Sequence, residues 1–236
     1  MFCINNHHAL PCRRASVGRE QQNDKSISRI KENLVTFHSP KAAISETYRS
    51  LRTSLQFSGV SKEVKSVIIT SGNPGEGKST TVANLAIATA QMGKKTLLVD
   101  ADLRKPVIHS LFGFDKSPGL MDAIAENGLK DSHLRNPDVE NLYLLPCGLI
   151  PPNPSEVLGS AEMNALHQEL AGRFDYIFYD TPPITAVTDA VVLSAVVDSL
   201  ALVIRFGSTT AQSVIHTTNL LRQVKTTISG AILNGV

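Results

Sequence analysis

The sequence predicts an α/β fold in which a mostly parallel sheet is covered by helices on both faces. Apolar runs typical of buried strands, the first at residues 65–70 and the last near 228–233, alternate with segments of helical periodicity. Parallel strands need long crossover connections, and this alternation supplies them. A glycine-rich stretch also joins the first strand to the long helix predicted at 78–92, which is typical of a phosphate-binding fold.

Length and charge indicate one folded domain with an N-terminal arm. The chain has 236 residues, is 42% hydrophobic and 19% charged, and carries a formal net charge of +2. Residues 1–38 are polar and contain six basic and three acidic residues, so we predict a flexible arm there and a folded domain at 39–236. The domain itself has a small negative net charge, which gives no electrostatic reason to expect nucleic acid binding.

The cysteine pattern favours a reducing cytoplasm. Three cysteines cannot form a closed disulfide framework. Cys3, His7, His8 and Cys12 are metal-ligand types, but their spacing matches no zinc pattern. No apolar run of 18 residues and no signal-peptide core is present, so we expect that a membrane location would depend on a partner.

The glycine-rich stretch fits the pattern G-x-x-x-x-G-K-[ST] from Gly72 to Ser79. Backbone N–H groups of such a loop and the following helix N-terminus bind a polyphosphate. Lys78 is expected to reach the β- and γ-phosphates, and the Ser79 hydroxyl to contact Mg²⁺. The residues predicted to bind the nucleotide are Gly72, Asn73, Pro74, Gly75, Glu76, Gly77, Lys78, Ser79 and Thr80.

Three aspartates follow predicted strands. Asp100 and Asp102 come after the apolar run at 96–99, and alternation along a strand makes them point the same way. The carboxyl end of a parallel strand is the edge where such sheets bind ligands, so this pair suits Mg²⁺ binding and proton abstraction. Asp180, after the strand at 176–179, is expected to orient Mg²⁺, usually through water.

Upstream of the first strand, Ser39 and Pro40 predict the start of a helix. Glu46, Arg49 and Arg52 follow along it at intervals of three residues. Periodicity alone leaves two interpretations open, a solvated face with an i,i+3 ion pair and a contact surface for another subunit. Three further helices are predicted downstream, at 157–170, 185–197 and 209–225.

Residues 37–236 resemble the bacterial tyrosine kinases, the cytoplasmic kinase domains paired with polysaccharide-export membrane proteins. Within the P-loop NTPases, these kinases are related to the ParA/MinD group. The resemblance rests on several motifs in order, namely Glu46–Arg52, Asn73–Thr80, Leu97–Pro106, Pro151–Leu158 and Phe174–Pro183.

The resemblance implies roles for the predicted site. Lys78 and the loop would hold the phosphates of ATP, with Ser79 on Mg²⁺. Asp100 would accept the proton of the attacking tyrosine hydroxyl, Asp102 would contact the metal, and Asp180 would orient it. The catalytic residues would thus be Lys78, Asp100 and Asp102.

The resemblance also implies partners. Glu46, Arg49 and Arg52 match the family motif E-x-x-R-x-x-R, through which subunits form a homo-oligomeric ring, and this favours the interface interpretation. The kinase would act on protein tyrosines and regulate capsular or exopolysaccharide production. A transmembrane co-polymerase would activate it and recruit it to the inner face of the plasma membrane, and a cognate tyrosine phosphatase is expected.

One departure keeps two alternatives open. Family members usually end in a tyrosine cluster, whereas this chain ends at Asn234, Gly235 and Val236, so we expect a truncated form or a kinase of other proteins only. One alternative is a polysaccharide chain-length regulator with weak kinase activity. The other is a ParA/MinD-type ATPase, although Asn73 stands where that class carries an extra lysine.

Overall fold

The computed structural model describes residues 33–57, 64–222 and 227–235, which form a parallel sheet between layers of helices. The strands are β1 Ser66–Ser71, β2 Thr96–Asp100, β3 Leu142–Leu145, β4 Tyr176–Asp180, β5 Ser199–Arg205 and β6 Thr227–Asn234. The helices are α1 Val35–His38, α2 Ala43–Gln56, α3 Lys78–Ala90, α4 Ile108–Phe112, α5 Leu120–Ala125, α6 Pro154–Leu158, α7 Ala161–Arg173, α8 Asp189–Leu193 and α9 Ala211–Leu221, with a 3₁₀ turn at Asp131–His133.

The sheet order is β3-β2-β4-β1-β5-β6, and every neighbouring pair of these strands is parallel. This confirms the predicted α/β fold class of a P-loop NTPase. In the register, Val67 lies opposite Phe178 and Asp100 opposite Asp180. Because the strands are parallel, their carboxyl ends meet at one edge of the sheet.

Alternation along the strands builds a separate core on each face of the sheet. In β1, Ile68 packs on one side while Val67 and Ile69 pack on the other. The first side is covered by apolar residues of α5, α7 and α8, and the second by those of α2, α3 and α4. Helix α3 is buried continuously from Thr81 to Ala90, because it lies between the sheet and the outer helices α1 and α2.

The folded body begins before residue 39, which differs from the predicted end of the arm. Leu34 is buried, and Thr36 is bound to Asn84 of α3 through its backbone N–H (3.0 Å) and its hydroxyl (2.8 Å). A buried amide can therefore attach residues that look like a polar arm in the sequence. The residues of the arm that belong to metal-ligand types lie outside the described residues, namely Cys3, His7, His8 and Cys12.

The helix predicted to start at Ser39 starts instead at Ala43. Ser39 closes α1, because its N–H donates to the carbonyl of Val35 (2.8 Å). Its own carbonyl accepts the Ser45 hydroxyl (2.7 Å), which joins the end of α1 to the first turn of α2. Pro40 therefore lies in the connection between two helices.

Two other predicted helices also differ from the structure. The pattern at 157–170 is divided into α6 and α7, because the Ser160 hydroxyl accepts from the N–H of Met163 and starts a new helix. The helix predicted at 185–197 is shortened to α8, Asp189–Leu193. Across the described ranges, none of the helices combines the length and apolar character needed to cross a bilayer.

Candidate active site

The carboxyl ends of the central strands bring the predicted site together. The loop after β1 carries the glycine-rich segment, β2 ends at Asp100, and β4 ends at Asp180. Lys78 and Ser79 open α3 directly after that loop. The residues predicted for the site thus lie at one edge of the sheet, and their roles in binding and catalysis stay predictions.

Glycine is required at two positions of the loop for different reasons. Gly77 has φ +90°, and a Cβ there would come within 2.1 Å of the Asn234 side-chain nitrogen. At Gly72 a Cβ would come within 2.6 Å of the Thr217 hydroxyl oxygen on α9. Both contacts are far shorter than van der Waals distance, so these positions allow the backbone of the loop to approach its neighbours.

Glu76 braces the loop from inside. It is 4% exposed, and its carboxylate accepts from the backbone N–H of Asn73 (3.0 Å) and from the Thr209 hydroxyl (2.6 Å). The Asn73 amide donates in turn to the Ser213 hydroxyl (2.7 Å). Pro74 and Gly75 form the exposed tip, and Thr80 lies in the half-buried first turn of α3.

Two residues that the sequence patterns did not indicate brace the loop from strands β5 and β6. The Arg205 guanidinium donates to the carbonyl of Gly75 (3.0 Å), and the Asn234 amide donates to the carbonyl of Glu76 (2.9 Å). Both stand at the carboxyl ends of strands, β5 and β6. Parallel sheets bind ligands at the carboxyl ends of their strands. That rule, which pointed to the three aspartates, could have identified Arg205 and Asn234 as well.

Lys78 is held between two carboxylates. Its ammonium lies 3.2 Å from Asp102 Oδ2 and 3.4 Å from Asp180 Oδ1, and 3.1 Å from the Ser79 hydroxyl. Burial lowers the pKa of Lys78, but the negative charges of Asp180 and Asp102 raise it more, so the net shift is upward. Lys78 is therefore a charged group, positioned where a polyphosphate would replace or join its carboxylate partners.

Asp100 lies deeper than Asp102 and is fully buried. Its Oδ2 accepts from the N–H of Ile108 (3.0 Å), while its Oδ1 is buried and has no hydrogen-bond partner among the described residues. Burial, reinforced by the charge of Asp180, raises the pKa of Asp100 well above its ordinary value. A carboxyl with a raised pKa is a stronger base once it has lost its proton.

The oxygen atoms at this edge suit a magnesium ion. Asp180 Oδ2 is buried without a hydrogen-bond partner in the described part of the chain, and burial raises the pKa of Asp180 although the charge of Lys78 opposes this. Mg²⁺ prefers oxygen ligands and takes one or two carboxylates together with substrate phosphates, so Ser79, Asp102 and Asp180 fit it. The described residues contain no group of three or more His, Cys, Asp or Glu that could hold a metal alone.

The three residues predicted at an oligomer interface lie along α2 but have different surroundings. Arg49 pairs with Glu46, as the i,i+3 spacing predicted, and also donates to the carbonyl of Pro40 (2.7 Å). Arg52 points to the end of α3 and donates to the carbonyl of Ala88 (2.9 Å). The structure thus contains the predicted ion pair, and it shows Arg52 engaged within its own subunit.

All four tyrosines of the chain fall within the described ranges, in helix or strand as predicted. Tyr48 and Tyr143 are half-buried, whereas Tyr176 and Tyr179 are buried. The Tyr179 hydroxyl lies 2.8 Å from His167 Nδ1 in the core. None of the four is an exposed acceptor in this fold.

Comparison with known proteins identifies the family. A ParA model, described as NUBPL iron-transfer P-loop NTPase, matches residues 63–235. The chain is 42% identical over 208 residues to tyrosine-protein kinase YwqD of Bacillus subtilis (strain 168), covering 88% of each chain. It is 36% identical over 213 residues to tyrosine-protein kinase wzc of Salmonella typhimurium, covering 90% of this chain but 28% of that longer relative. The kinase domain of Escherichia coli tyrosine kinase ETK superimposes with a TM-score of 0.81 at 35% identity, covering 86% of this chain and 80% of that one.

The family and the enzyme class predicted from the sequence are thereby confirmed, and the chain belongs to the bacterial tyrosine-protein kinases within the P-loop NTPases.

Proposed function

We propose that this protein transfers the γ-phosphoryl group of ATP to tyrosine residues of other protein chains, with Mg²⁺ as cofactor, in a capsule or exopolysaccharide system. The observation that carries the mechanism is the cluster at the sheet edge, where Lys78 contacts both Asp102 and Asp180 within 3.4 Å. Phosphoryl transfer depends mainly on positioning and charge neutralisation, which this cluster supplies.

Each residue of the cluster has a distinct task. The N–H groups of the glycine-rich loop and the Lys78 ammonium bind and orient the phosphates. Ser79, Asp102 and Asp180 would hold Mg²⁺, and the ion would supply positive charge beside the phosphates. Since the loop is braced by Glu76, Arg205 and Asn234, it is largely shaped before the nucleotide binds.

Asp100 is the candidate general base. A tyrosine hydroxyl has an ordinary pKa near 10, so its attack benefits from a nearby proton acceptor. Burial raises the pKa of Asp100, and its Oδ1 is available to accept a proton. Asp100 is fully buried in this structure, so a substrate hydroxyl would need an opening in the surrounding chain to reach it.

We place the acceptor tyrosine outside the four tyrosines of this sequence, because each of them is at least half-buried. A homo-oligomeric ring through Glu46, Arg49 and Arg52 would bring such acceptors to neighbouring active sites. Activation and recruitment to the inner face of the membrane come from a transmembrane co-polymerase, and a tyrosine phosphatase reverses the reaction.

Phosphotransfer from labelled ATP to a tyrosine-containing protein substrate, with the partner's cytoplasmic fragment present, tests the assignment. Lys78→Met and Asp100→Ala should lose labelling of tyrosine. Lys94→Met is the matched control, because Lys94 is an exposed lysine at the opposite end of β2, and it should label normally. Labelling that persists in Lys78→Met contradicts the assignment to this site.

The ParA/MinD alternative makes a different prediction for the same assay. Position 73 holds an asparagine, whereas the ParA/MinD class carries there a lysine that reaches across a dimer. The Asn73 side chain bonds instead to Glu76 and Ser213 of its own subunit. The lack of that lysine counts against the ParA/MinD-type ATPase. Label that appears only as free phosphate would support the ATPase instead, while slow labelling with normal assembly would support the chain-length regulator.

The ring is tested by light scattering. Arg49→Ala should reduce the oligomer to smaller species with little change in melting temperature, because Arg49 is partly exposed and bonds only locally. Ser54→Ala, an exposed change elsewhere on α2, is the control and should keep the oligomer. An unchanged mass for Arg49→Ala would refute the interface.

A further inference from the structure

The carboxylate of Asp102 is held in place by the turn that follows it. Its Oδ1 accepts from the backbone N–H groups of Arg104 (3.3 Å) and Lys105 (2.9 Å). These bonds leave Oδ2 facing the Lys78 ammonium, at 3.2 Å. The direction in which Asp102 presents its free oxygen therefore depends on where the backbone of this turn lies.

The turn is anchored by a side chain that does not face the phosphate loop. The Arg104 guanidinium donates through Nε to Asp189 Oδ2 (2.9 Å) and through Nη2 to Asp189 Oδ1 (3.0 Å). This is the two-bond geometry in which arginine and a carboxylate fix each other's orientation. Asp189 is fully buried at the start of α8, whereas the Arg104 side chain is 39% exposed.

A third residue completes the anchor. The Ser155 hydroxyl, in the first turn of α6, donates to Asp189 Oδ1 and accepts from Arg104 Nη2 (3.2 Å). The segment after β2 is thus attached to two short helices that lie far away in the sequence. This contact gives a physical role to Ser155 and to the Arg104 side chain, which the phosphate site does not itself use.

We propose that Arg104 and Asp189 are positioning residues for phosphoryl transfer, whose ion pair fixes the turn that orients Asp102 toward the metal. The inference rests on the proposed function, in which Asp102 contacts Mg²⁺. If the pair is broken, the buried Asp189 carboxylate loses its cation and the turn loses its anchor, so Asp102 no longer presents Oδ2 in a fixed direction. Groups that orient metal ligands in this way typically contribute roughly 10- to 100-fold to metal affinity.

The test is the Mg²⁺ dependence of nucleotide binding, measured by calorimetry with a non-hydrolysable ATP analogue. Arg104→Lys keeps the charge but cannot form the two-bond contact. We expect it to raise the Mg²⁺ concentration for half-maximal binding about tenfold, while analogue binding in excess chelator stays unchanged. Arg173→Lys is the matched control, since Arg173 is a 35% exposed arginine paired with Asp131 and Glu169 away from the site, and it should change neither value.

Each outcome decides the proposal. An Arg104→Lys protein with the wild-type Mg²⁺ dependence overturns it, and so does an equal loss of binding with and without Mg²⁺, which a merely structural contact would give. If Arg104→Lys does not fold, Ser155→Ala decides instead, because it removes the two hydrogen bonds of the Ser155 hydroxyl and leaves the ion pair. A roughly threefold shift in Mg²⁺ dependence then supports the proposal, and no shift overturns it.

A further variant separates this inference from the proposed function. Asp102→Ala should lose most of the Mg²⁺ dependence of binding. If it keeps that dependence, the assignment of Asp102 to the metal fails. If Asp102→Ala loses it and Arg104→Lys does not change it, only the positioning role fails.

Discussion

Replacing Lys78 by methionine should destabilise the protein in the absence of nucleotide, and not only abolish its activity. The Lys78 side chain is 12% exposed and lies 3.2 Å from Asp102 and 3.4 Å from Asp180. At an effective dielectric constant of about 20, each contact has a gross Coulomb energy of about 5 kcal/mol. Most of this is offset by the cost of taking the charges out of water, and removing one partner of a buried pair typically costs about 3–5 kcal/mol.

We therefore expect Lys78→Met to lose about 3 kcal/mol of unfolding free energy at pH 8, the low end of that range, because Asp180 can take up a proton. For a chain of this size the change corresponds to a fall of about 6–12 °C in melting temperature. Lys94→Met, at an exposed position, should change stability by less than about 0.5 kcal/mol.

The pH dependence has a definite sign. Burial raises the pKa of Asp180 in the folded protein, and the charge of Lys78 opposes that rise, so the variant's Asp180 has a still higher pKa. A carboxyl with a raised folded pKa favours the folded protein below its unfolded pKa, and this contribution is lost as pH rises through the folded value. The loss of unfolding free energy in Lys78→Met, relative to wild type, should thus be smaller at pH 5 than at pH 8.

Urea unfolding without nucleotide, at both pH values, is the assay. Lys78→Met combined with Asp180→Asn should recover part of the loss, because the unpaired charge of the fully buried Asp180 is then absent. Equal stability of Lys78→Met and wild type at pH 8 would refute the view that this cluster is a tightly coupled buried ion group.

Three further changes have outcomes that follow from the same structure. Gly77→Ala places a Cβ 2.1 Å from the Asn234 amide at φ +90°, so analogue binding measured by calorimetry should weaken by at least about tenfold; unchanged binding would contradict the close approach. Asp100→Asn should abolish tyrosine labelling. Burial raises the pKa of Asp100, so its ionisation destabilises the wild-type fold, and the urea stability of the variant relative to wild type should increase as pH rises from 4 to 8. A variant less stable than wild type at pH 8 would count against this. Gly119→Ala places a Cβ 2.1 Å from the backbone carbonyl oxygen of Pro146, so unfolding in urea should show a loss of more than about 2 kcal/mol, and a neutral result would contradict the contact.

The sequence predicted well which residues lie at the edge of the candidate active site, because their placement depends only on local rules. A strand followed by a glycine-rich turn and a helix identifies the phosphate loop, and alternation places Asp100 and Asp102 at the end of β2. The structure confirms that these residues share one edge with Asp180, through the register that pairs Asp100 with Asp180.

Helix boundaries were predicted less well, because they depend on contacts between distant segments. Ser39 is a residue type that commonly starts a helix, but its N–H bonds to the Val35 carbonyl and makes it the end of α1. Thr36 is attached to the folded body by Asn84, in the middle of α3, and by Gln91, directly after that helix.

By itself, the sequence determined the fold class, the phosphate loop and the three aspartates, because strand periodicity and loop composition specify them within short windows of the chain. Only the tertiary structure decided that Arg205 and Asn234 brace the loop, and that Arg104 is anchored by Asp189. These partners stand up to 158 residues apart, and hydrogen bonds at such separations are set by how the strands are ordered in the sheet. Strand order is a property of the packed chain, and no local pattern encodes it.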